Sequence, residues 1–126
     1  MVKLVYVVRA RPDISSEEFH RYWREEHGPK VASVAEALRA RRYVQSHTLA
    51  SPINEALIEG RGPMVPAFEG ITEVWWDSVE ELMAALGTPE GQAAGAMLAE
   101  DEARFIDFAR SSVFLTEEHE VFNFAR

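Results

Sequence analysis

Residues 17–29, EEFHRYWREEHGP, predict an aromatic helix that runs into a corner. Phe19, Tyr22 and Trp23 are spaced i, i+3 and i+4, so they share one helical face, and His27 continues that face one turn later. The glycine that follows can end a helix in the left-handed conformation, and the proline after it suits the first turn of a new helix. The pattern therefore predicts a histidine held in a stiff corner at the end of an aromatic stripe.

Length and composition predict one soluble domain over residues 1–126. The chain is 47% hydrophobic, which suffices for a single core. Its 21 acidic and 13 basic residues give a formal charge of −8, which disfavours nucleic-acid binding and attraction to anionic membranes. There is no cysteine, so disulfides and cysteine-type metal sites are excluded.

Membrane insertion and secretion are not expected from the hydrophobic pattern. No apolar run approaches the roughly 20 residues of a membrane span. The apolar run at residues 2–8 is followed by basic residues and has no small-residue cleavage site, so it predicts a strand rather than a signal peptide. We therefore expect a cytoplasmic protein.

The order of elements predicts an α+β fold. Strand–helix–strand occurs twice, with strands expected near residues 2–10, 41–49, 69–77 and 111–115 and with two helices in each connection. This order is typical of a ferredoxin-like sandwich, with a four-stranded antiparallel sheet and helices on one face. Apolar side chains point to both faces of the sheet, so we expect a homodimer that covers the open face.

Two segments are less regular. Residues 51–68 contain three prolines and two glycines, with one or two helical turns expected at residues 54–59. A connection of this length is usually functional or mobile, so it is interpreted as a lid or a dimer arm. Residues 121–124 are predicted to form a further strand or an arm.

Polar side chains alternate along the second strand. Tyr43, Gln45 and His47 share one face, which predicts either a solvated surface or the wall of a pocket. If this face meets the helices, His47 could converge with His27 on one pocket. A histidine, a tyrosine and an amide suffice for proton abstraction beside a carbonyl and for loss of water.

Glu73 is a further candidate for acid/base chemistry. It lies two residues before Trp75 in the third strand, where a buried, unpaired carboxylate would have a raised pKa. It could then act as a general acid or base or pair with a histidine. An ion pair with an arginine of the second strand is the alternative. Tyr22, Trp23 and Trp75 are expected to form core or pocket wall.

The remaining histidines and a metal site are less favoured. His20 and His119 are expected at the surface. His27, His47 and Glu73 could in principle hold a metal, but they lack the i, i+4 spacing of helical ligands, so none is expected. No phosphate-binding loop or serine-nucleophile motif occurs, and no cofactor is expected.

An ordered set of motifs resembles the EthD family. It comprises the F-x-x-Y-W helix leading to HGP at residues 27–29, RYVQSH at residues 42–47, EVWWDS at residues 73–78 and DEARFID at residues 101–107. The second motif is close to the family's usual Tyr-x-Gln-Asn-His, with Ser46 in place of asparagine. The resemblance implies a dimeric α/β barrel, in which two ferredoxin-like subunits face one another with their sheets. Relatives of this barrel include dehydratases, polyketide cyclases, isomerases and cofactor-free monooxygenases.

The sequence therefore suggests a cofactor-independent lyase or isomerase, dehydratase- or cyclase-like, that acts on a cyclic, aromatic or polyketide-type carbonyl compound. One alternative is a non-catalytic protein that binds a hydrophobic or aromatic small molecule for an ether-degradation or oxygenase system. The other is a cofactor-free monooxygenase. The expected catalytic residues are His27, His47, Tyr43 and Glu73, and the expected substrate-binding residues are Gln45, Tyr22, Trp23 and Trp75.

Overall fold

Four antiparallel strands form one sheet in the computed structural model, which describes residues 1–125. The strands lie in the order β2-β3-β1-β4, so each strand–helix–strand unit contributes one central strand and one edge strand. This order confirms the predicted ferredoxin-like α+β fold. The strands are β1 Val2–Val8, β2 Arg42–His47, β3 Gly70–Trp76 and β4 Ser112–Glu117.

Six α-helices connect the strands. Serine side chains cap two of them, because the hydroxyl oxygens of Ser15 and Ser78 each accept a hydrogen bond from the backbone N–H three residues on. A helix at the start of the irregular 51–68 segment is also confirmed. No strand forms at residues 118–125, so of the two alternatives predicted for residues 121–124, a further strand or an arm, the strand is wrong. The helices are α1 Ser16–Tyr22, α2 Gly28–Ser33, α3 Ala35–Leu38, α4 Ile53–Glu59, α5 Val79–Leu86 and α6 Pro89–Glu102.

The predicted break at Gly28 is wrong. Gly28 is right-handed, with φ −51° and ψ −52°, and the helical path continues through it from α1 into α2. The chain widens to a π-helix over Trp23–His27, and the N–H of Gly28 donates to the carbonyl of Trp23. Pro29 explains the widening, because in a regular α-helix its ring would collide with the carbonyl four residues earlier. His27 therefore lies within a continuous helix.

The register decides which side chains face the helices. Tyr6 pairs with Thr72, and Thr72 pairs with Gln45, so these three side chains lie on one face. This is the face on which the helices pack. Residues one position along each strand, including Lys3, Glu73 and Trp75, lie on the opposite face of the sheet.

The aromatic stripe of α1 and the π-helix forms the main core. Phe19 is fully buried, and Trp23 and Phe105 are each 1% exposed. The ring centroid of Phe19 lies 5.4 Å from that of Trp23 and 5.1 Å from that of Phe105. This packing joins the helices to the sheet and fixes the place of the π-helix over β2 and β3.

Two glycines of α6 provide a test of this packing. A Cβ at Gly91 would come 1.8 Å from the carbonyl oxygen of Ala85, whereas a Cβ at Gly95 would meet no atom within 4 Å. We expect Gly91→Ala to lower the free energy of unfolding by about 1–3 kcal/mol through overpacking. Gly95→Ala should raise it by about 0.5–1 kcal/mol, since alanine favours a helix interior. Urea unfolding of both variants measures these changes. If the free energy of unfolding changed in the same direction in both variants, the described packing of α6 against α5 would be contradicted.

Candidate active site

A cavity of about 390 Å³ lies between the sheet and the helices. Its wall is mostly apolar, with contributions from all four strands, the π-helix and helices α2, α3, α5 and α6. Of the described residues that line it, none is lysine or arginine. Its volume falls in the range of small-molecule sites, which typically combine an apolar wall with few polar groups. The polar side chains in the wall are Tyr6, His27, Tyr43, Thr72 and Glu102.

A buried carboxylate orients His27. Asp101, on α6, is 3% exposed, and its Oδ2 accepts a hydrogen bond from Nδ1 of His27 at 2.7 Å. Its Oδ1 accepts from Lys30 Nζ and from the Tyr22 hydroxyl, both at 2.6 Å. Burial opposes ionisation, but these three hydrogen bonds outweigh it and lower the pKa of Asp101 to about 2. Asp101 is therefore a fixed anion.

The pairing with Asp101 sets the state of the His27 ring. Burial lowers the pKa of His27, and the bond to Asp101 opposes this only in part. The ring is therefore neutral at pH 7, and the bond to Asp101 places its proton on Nδ1. Nε2 then carries the lone pair, and within residues 1–125 it accepts no hydrogen bond. His27 lines the cavity, and its neutral ring with an unprotonated Nε2 is the form required of a general base.

Acidification should expose the contribution of Asp101. Since its pKa is lower in the folded than in the unfolded chain, its ionised form stabilises the fold above pH 4, and this stabilisation is lost as the pH falls towards 2. We expect Asp101→Asn to cost on the order of 2 kcal/mol at pH 7 and clearly less at pH 3. Urea unfolding at both pH values measures this. Glu100→Gln, at an exposed neighbouring site, is the control, and a pH-independent cost for Asp101→Asn would contradict the assignment.

Gln45 connects Tyr43 to His47. Its Nε2 donates to the Trp23 carbonyl at 2.7 Å and to the Tyr43 hydroxyl oxygen at 2.8 Å. A carbonyl only accepts, so the orientation of the amide is fixed, and its Oε1 accepts from His47 Nε2 at 2.8 Å. The Tyr43 oxygen thus accepts a bond, and its own O–H is left to donate. Burial raises the pKa of Tyr43, so the hydroxyl stays protonated in the cavity wall.

His47 does not share the cavity with His27. Its ring stacks on Trp23, with centroids 4.5 Å apart, and lines a separate depression with Arg24 and Gln45. The expected convergence of the two histidines on one pocket is therefore wrong, because the Trp23 indole lies against the His47 ring. His20 also departs from the expected surface position. It is half-buried, 4.8 Å from the His47 ring, and its Nε2 lies 2.8 Å from the Glu69 carbonyl.

Glu73 and Trp75 lie on the opposite face of the sheet from the cavity. Glu73 forms an ion pair with Lys3, with a separation of 2.8 Å between Nζ and Oε2. Trp75 is 7% exposed, because Lys3 and Arg42 cover its ring and its Nε1 donates to Glu118 at 2.8 Å. Neither residue lines the cavity, contrary to the expected shared site. Strand alternation predicts that Glu73 and Trp75 share a face of the sheet, but it does not show which face packs against the helices.

Of the other expected substrate-binding residues, Trp23 lines the cavity, as expected of a pocket wall, whereas Tyr22 and Gln45 do not. Tyr22 instead donates to Asp101, and Gln45 acts on the cavity through Tyr43. Gln45 thus holds a lining residue directly, whereas Tyr22 holds Asp101, which in turn holds the lining residue His27.

Sequence reasoning missed Asp101 and Glu102 as site residues. Burial raises the pKa of Glu102 to about 7, and the nearby Tyr6 hydroxyl only partly opposes this. A signal was present, because Leu98, Asp101 and Phe105 are spaced i, i+3 and i+7. That spacing places a carboxylate on the apolar face of a helix, where it needs a partner. The partner, His27, is 74 residues away and could not be found from local pattern.

Within residues 1–125, no group of three or more histidine and acidic side chains is arranged to hold a metal ion. Over the same residues, no helix has the length and apolar character to cross a bilayer.

The fold and the cavity together define a small ferredoxin-like α+β protein with an internal site of ligand size. The model of the EthD domain matches residues 11–109, which is most of the chain. The chain therefore belongs to the EthD family. No curated protein matches it.

Solved structures support the fold. An EthD family protein from Bacillus halodurans C-125 is 22% identical, with a TM-score of 0.62, and the match covers 94% of this chain and 99% of that one. A dimeric ferredoxin-like protein of unknown function from Thermobifida fusca is 12% identical, with a TM-score of 0.53 and coverage of 91% and 88%. SnoaB, a cofactor-independent oxygenase from Streptomyces nogalater, is 12% identical, with a TM-score of 0.55 and coverage of 95% and 94%. At these identities the likeness concerns the fold.

Proposed function

We propose that the protein is a cofactor-independent acid/base lyase or isomerase, of dehydratase or cyclase type, for a cyclic, aromatic or polyketide-type carbonyl compound. The observation that carries the proposal is the neutral His27 ring in the wall of an apolar cavity, with Nδ1 bonded to Asp101 and with Nε2 accepting no hydrogen bond within residues 1–125. A base of this kind needs a substrate with an acidic C–H bond, which a neighbouring carbonyl provides.

The proposed reaction begins with proton transfer to His27. Nε2 takes a proton from the carbon beside the carbonyl, and the electron pair of that C–H bond moves towards the carbonyl oxygen. The Tyr43 O–H donates to this oxygen as its charge develops. Asp101 stabilises the imidazolium that forms. In a dehydration, the electron pair then forms a C=C bond as the hydroxyl group on the next carbon leaves. The His27 imidazolium returns its proton to that hydroxyl group, which departs as water, and the neutral base is restored.

His47 and Gln45 have a supporting role in this proposal. Gln45 holds the Tyr43 oxygen by a 2.8 Å bond, and His47 holds the amide of Gln45 in the required orientation. Both act through Tyr43, and neither transfers a proton to the substrate. Glu73 has no role in this chemistry, since it lies on the other face of the sheet.

A bicyclic probe tests the proposal. Dehydration of 3-hydroxy-1-tetralone gives 1-naphthol, which is followed by its fluorescence. We expect the protein to accelerate this reaction. Gly95 lines the cavity, so the ring of the variant Gly95→Phe would fill it, and this variant should lose the acceleration. Gly95→Ala is the control that leaves the cavity open.

Binding without catalysis is the second candidate function. The mostly apolar wall of the cavity favours it, because such a wall suits retention of a hydrophobic ligand. Calorimetry with 1-tetralone tests this function. Binding that the Gly95→Phe variant lacks, together with no turnover of any hydroxy ketone, would favour a binding protein over an enzyme.

We further propose a homodimer formed through the open sheet face. Ile71 and Phe114 on that face are 38% and 47% exposed, beside the ion pair of Lys3 and Glu73. Two such faces would bury these side chains against one another. Sedimentation at micromolar concentration is expected to give a dimer, and Phe114→Glu should shift it to monomer. A wild-type monomer would contradict the proposal, and Glu80→Gln on the exposed surface of α5 is the control.

A further inference from the structure

Glu102 is the carboxylic acid among the residues that line the cavity. It follows Asp101 on α6, but the two carboxylates face different surroundings. Asp101 is neutralised by Lys30, whereas Glu102 forms no ion pair within residues 1–125 and lines the cavity. A carboxyl group in an apolar cavity without a cationic partner is available to form a hydrogen bond with a polar group of a bound ligand.

Charge in the cavity restricts the ligand. None of the described lining residues is lysine or arginine, so a carboxylate or phosphate on the ligand would have no cationic partner. It would instead meet the carboxyl group of Glu102, and burying two like charges in an apolar site is costly. An uncharged ligand with a hydroxyl group avoids this cost, because the hydroxyl can donate to Glu102.

We propose that the cavity selects uncharged, hydroxylated ring compounds over their carboxylate analogues, and that Glu102 is the specificity-determining residue that accepts the ligand hydroxyl. This inference rests on the proposed function only in placing the ligand in the same cavity, and it does not require turnover.

The surroundings of Glu102 give the expected pH dependence. Tyr6 faces it from β1, Tyr43 acts on it from β2, Asp101 precedes it on α6 and His27 lines the same cavity. Tyr6 and Tyr43 have raised pKa values and stay neutral, while Asp101 stays ionised near neutrality. Burial raises the pKa of Glu102 to about 7, so it is mostly protonated at pH 5.5 and mostly ionised at pH 8. Discrimination against a carboxylate should therefore be stronger at pH 8.

Three bicyclic probes test this by calorimetry. They are 2-tetralol, which carries a hydroxyl group, tetralin-2-carboxylate, which carries a charge in its place, and 1-tetralone, which has no hydroxyl group. At pH 8 we expect 2-tetralol to bind at least about tenfold more tightly than the carboxylate. At pH 5.5 the ratio should be smaller.

Two variants separate the charge of Glu102 from its hydrogen bond. Glu102→Gln should tighten binding of the carboxylate by about tenfold at pH 8 and leave 2-tetralol within about threefold. Glu102→Leu should weaken 2-tetralol by about tenfold and leave 1-tetralone unchanged, which a merely structural role would not predict.

The outcomes are distinguishable from a failure of the proposed function. Equal binding of 2-tetralol and the carboxylate by the wild type at pH 8, or the same ratio in Glu102→Gln, would overturn the inference. If the three probes behave as expected but 3-hydroxy-1-tetralone is not dehydrated, the ligand class stands and the proposed catalysis fails.

Discussion

Replacing His27 by alanine is expected to lower the rate of 3-hydroxy-1-tetralone dehydration by about 10²–10⁴-fold, the contribution typical of a positioned general base. The reason is that His27 lines the cavity and that Nε2 is its unprotonated nitrogen, since the proton on Nδ1 is donated to Asp101 at 2.7 Å. The measurement is the initial rate of 1-naphthol formation at pH 7, with substrate varied so that the loss is assigned to kcat rather than to KM.

A matched variant separates chemistry from structure. His27 is 4% exposed, so alanine also removes buried packing and leaves Asp101 one donor short. His27→Asn places an amide N–H near the position of Nδ1 and preserves a donor to Asp101 while removing Nε2. It should be as inactive as His27→Ala but more stable in urea. Retained activity in His27→Asn would contradict the assignment of His27 as the base.

Trp23→Ala is expected to be the most destabilising single substitution considered, with a loss of about 3–5 kcal/mol in the free energy of unfolding. Trp23 is 1% exposed, contacts Phe19 and stacks on His47. A Cβ at Gly70 would come 2.8 Å from its ring, so β3 already packs tightly beneath it. Alanine would therefore leave a large void that these neighbours cannot readily fill.

Urea unfolding measures the cost, and Trp23→Phe is the control because it keeps an aromatic ring at the site. The phenylalanine variant should lose clearly less stability than the alanine variant. A cost below about 1 kcal/mol for Trp23→Ala would show that the ring is not enclosed as described.

Local patterns predicted the architecture well. Alternation along β2 placed Tyr43, Gln45 and His47 on one face, and the repeated strand–helix–strand order predicted the four-stranded sheet. The aromatic spacing of Phe19 and Trp23 predicted a shared buried face. These features depend on neighbours within one turn or one strand, which is the range that sequence periodicity reports.

Non-local contacts account for what the sequence could not predict. His27 was correctly predicted to project from the aromatic helix, but its partner Asp101 comes from a helix late in the chain. The π-helix depends on how Pro29 fits the preceding turn, so a simple break was predicted instead. Glu73 was assigned to the site because alternation does not reveal which face of a sheet the helices cover. Only the packing of helices on the sheet separates Glu73 from the cavity.

Hydrogen–deuterium exchange of 1-tetralone isolates the proposed proton transfer to His27, because it reports removal of the proton beside the carbonyl without any further step. The ketone is incubated with the protein in D₂O, and loss of the signal of its C2 protons is followed by ¹H NMR. We expect exchange faster than in buffer with the wild type and with Gly95→Ala, and none above buffer with His27→Asn or Gly95→Phe. Exchange no faster than in buffer with the wild type, or equally fast with His27→Asn, would contradict this proton transfer.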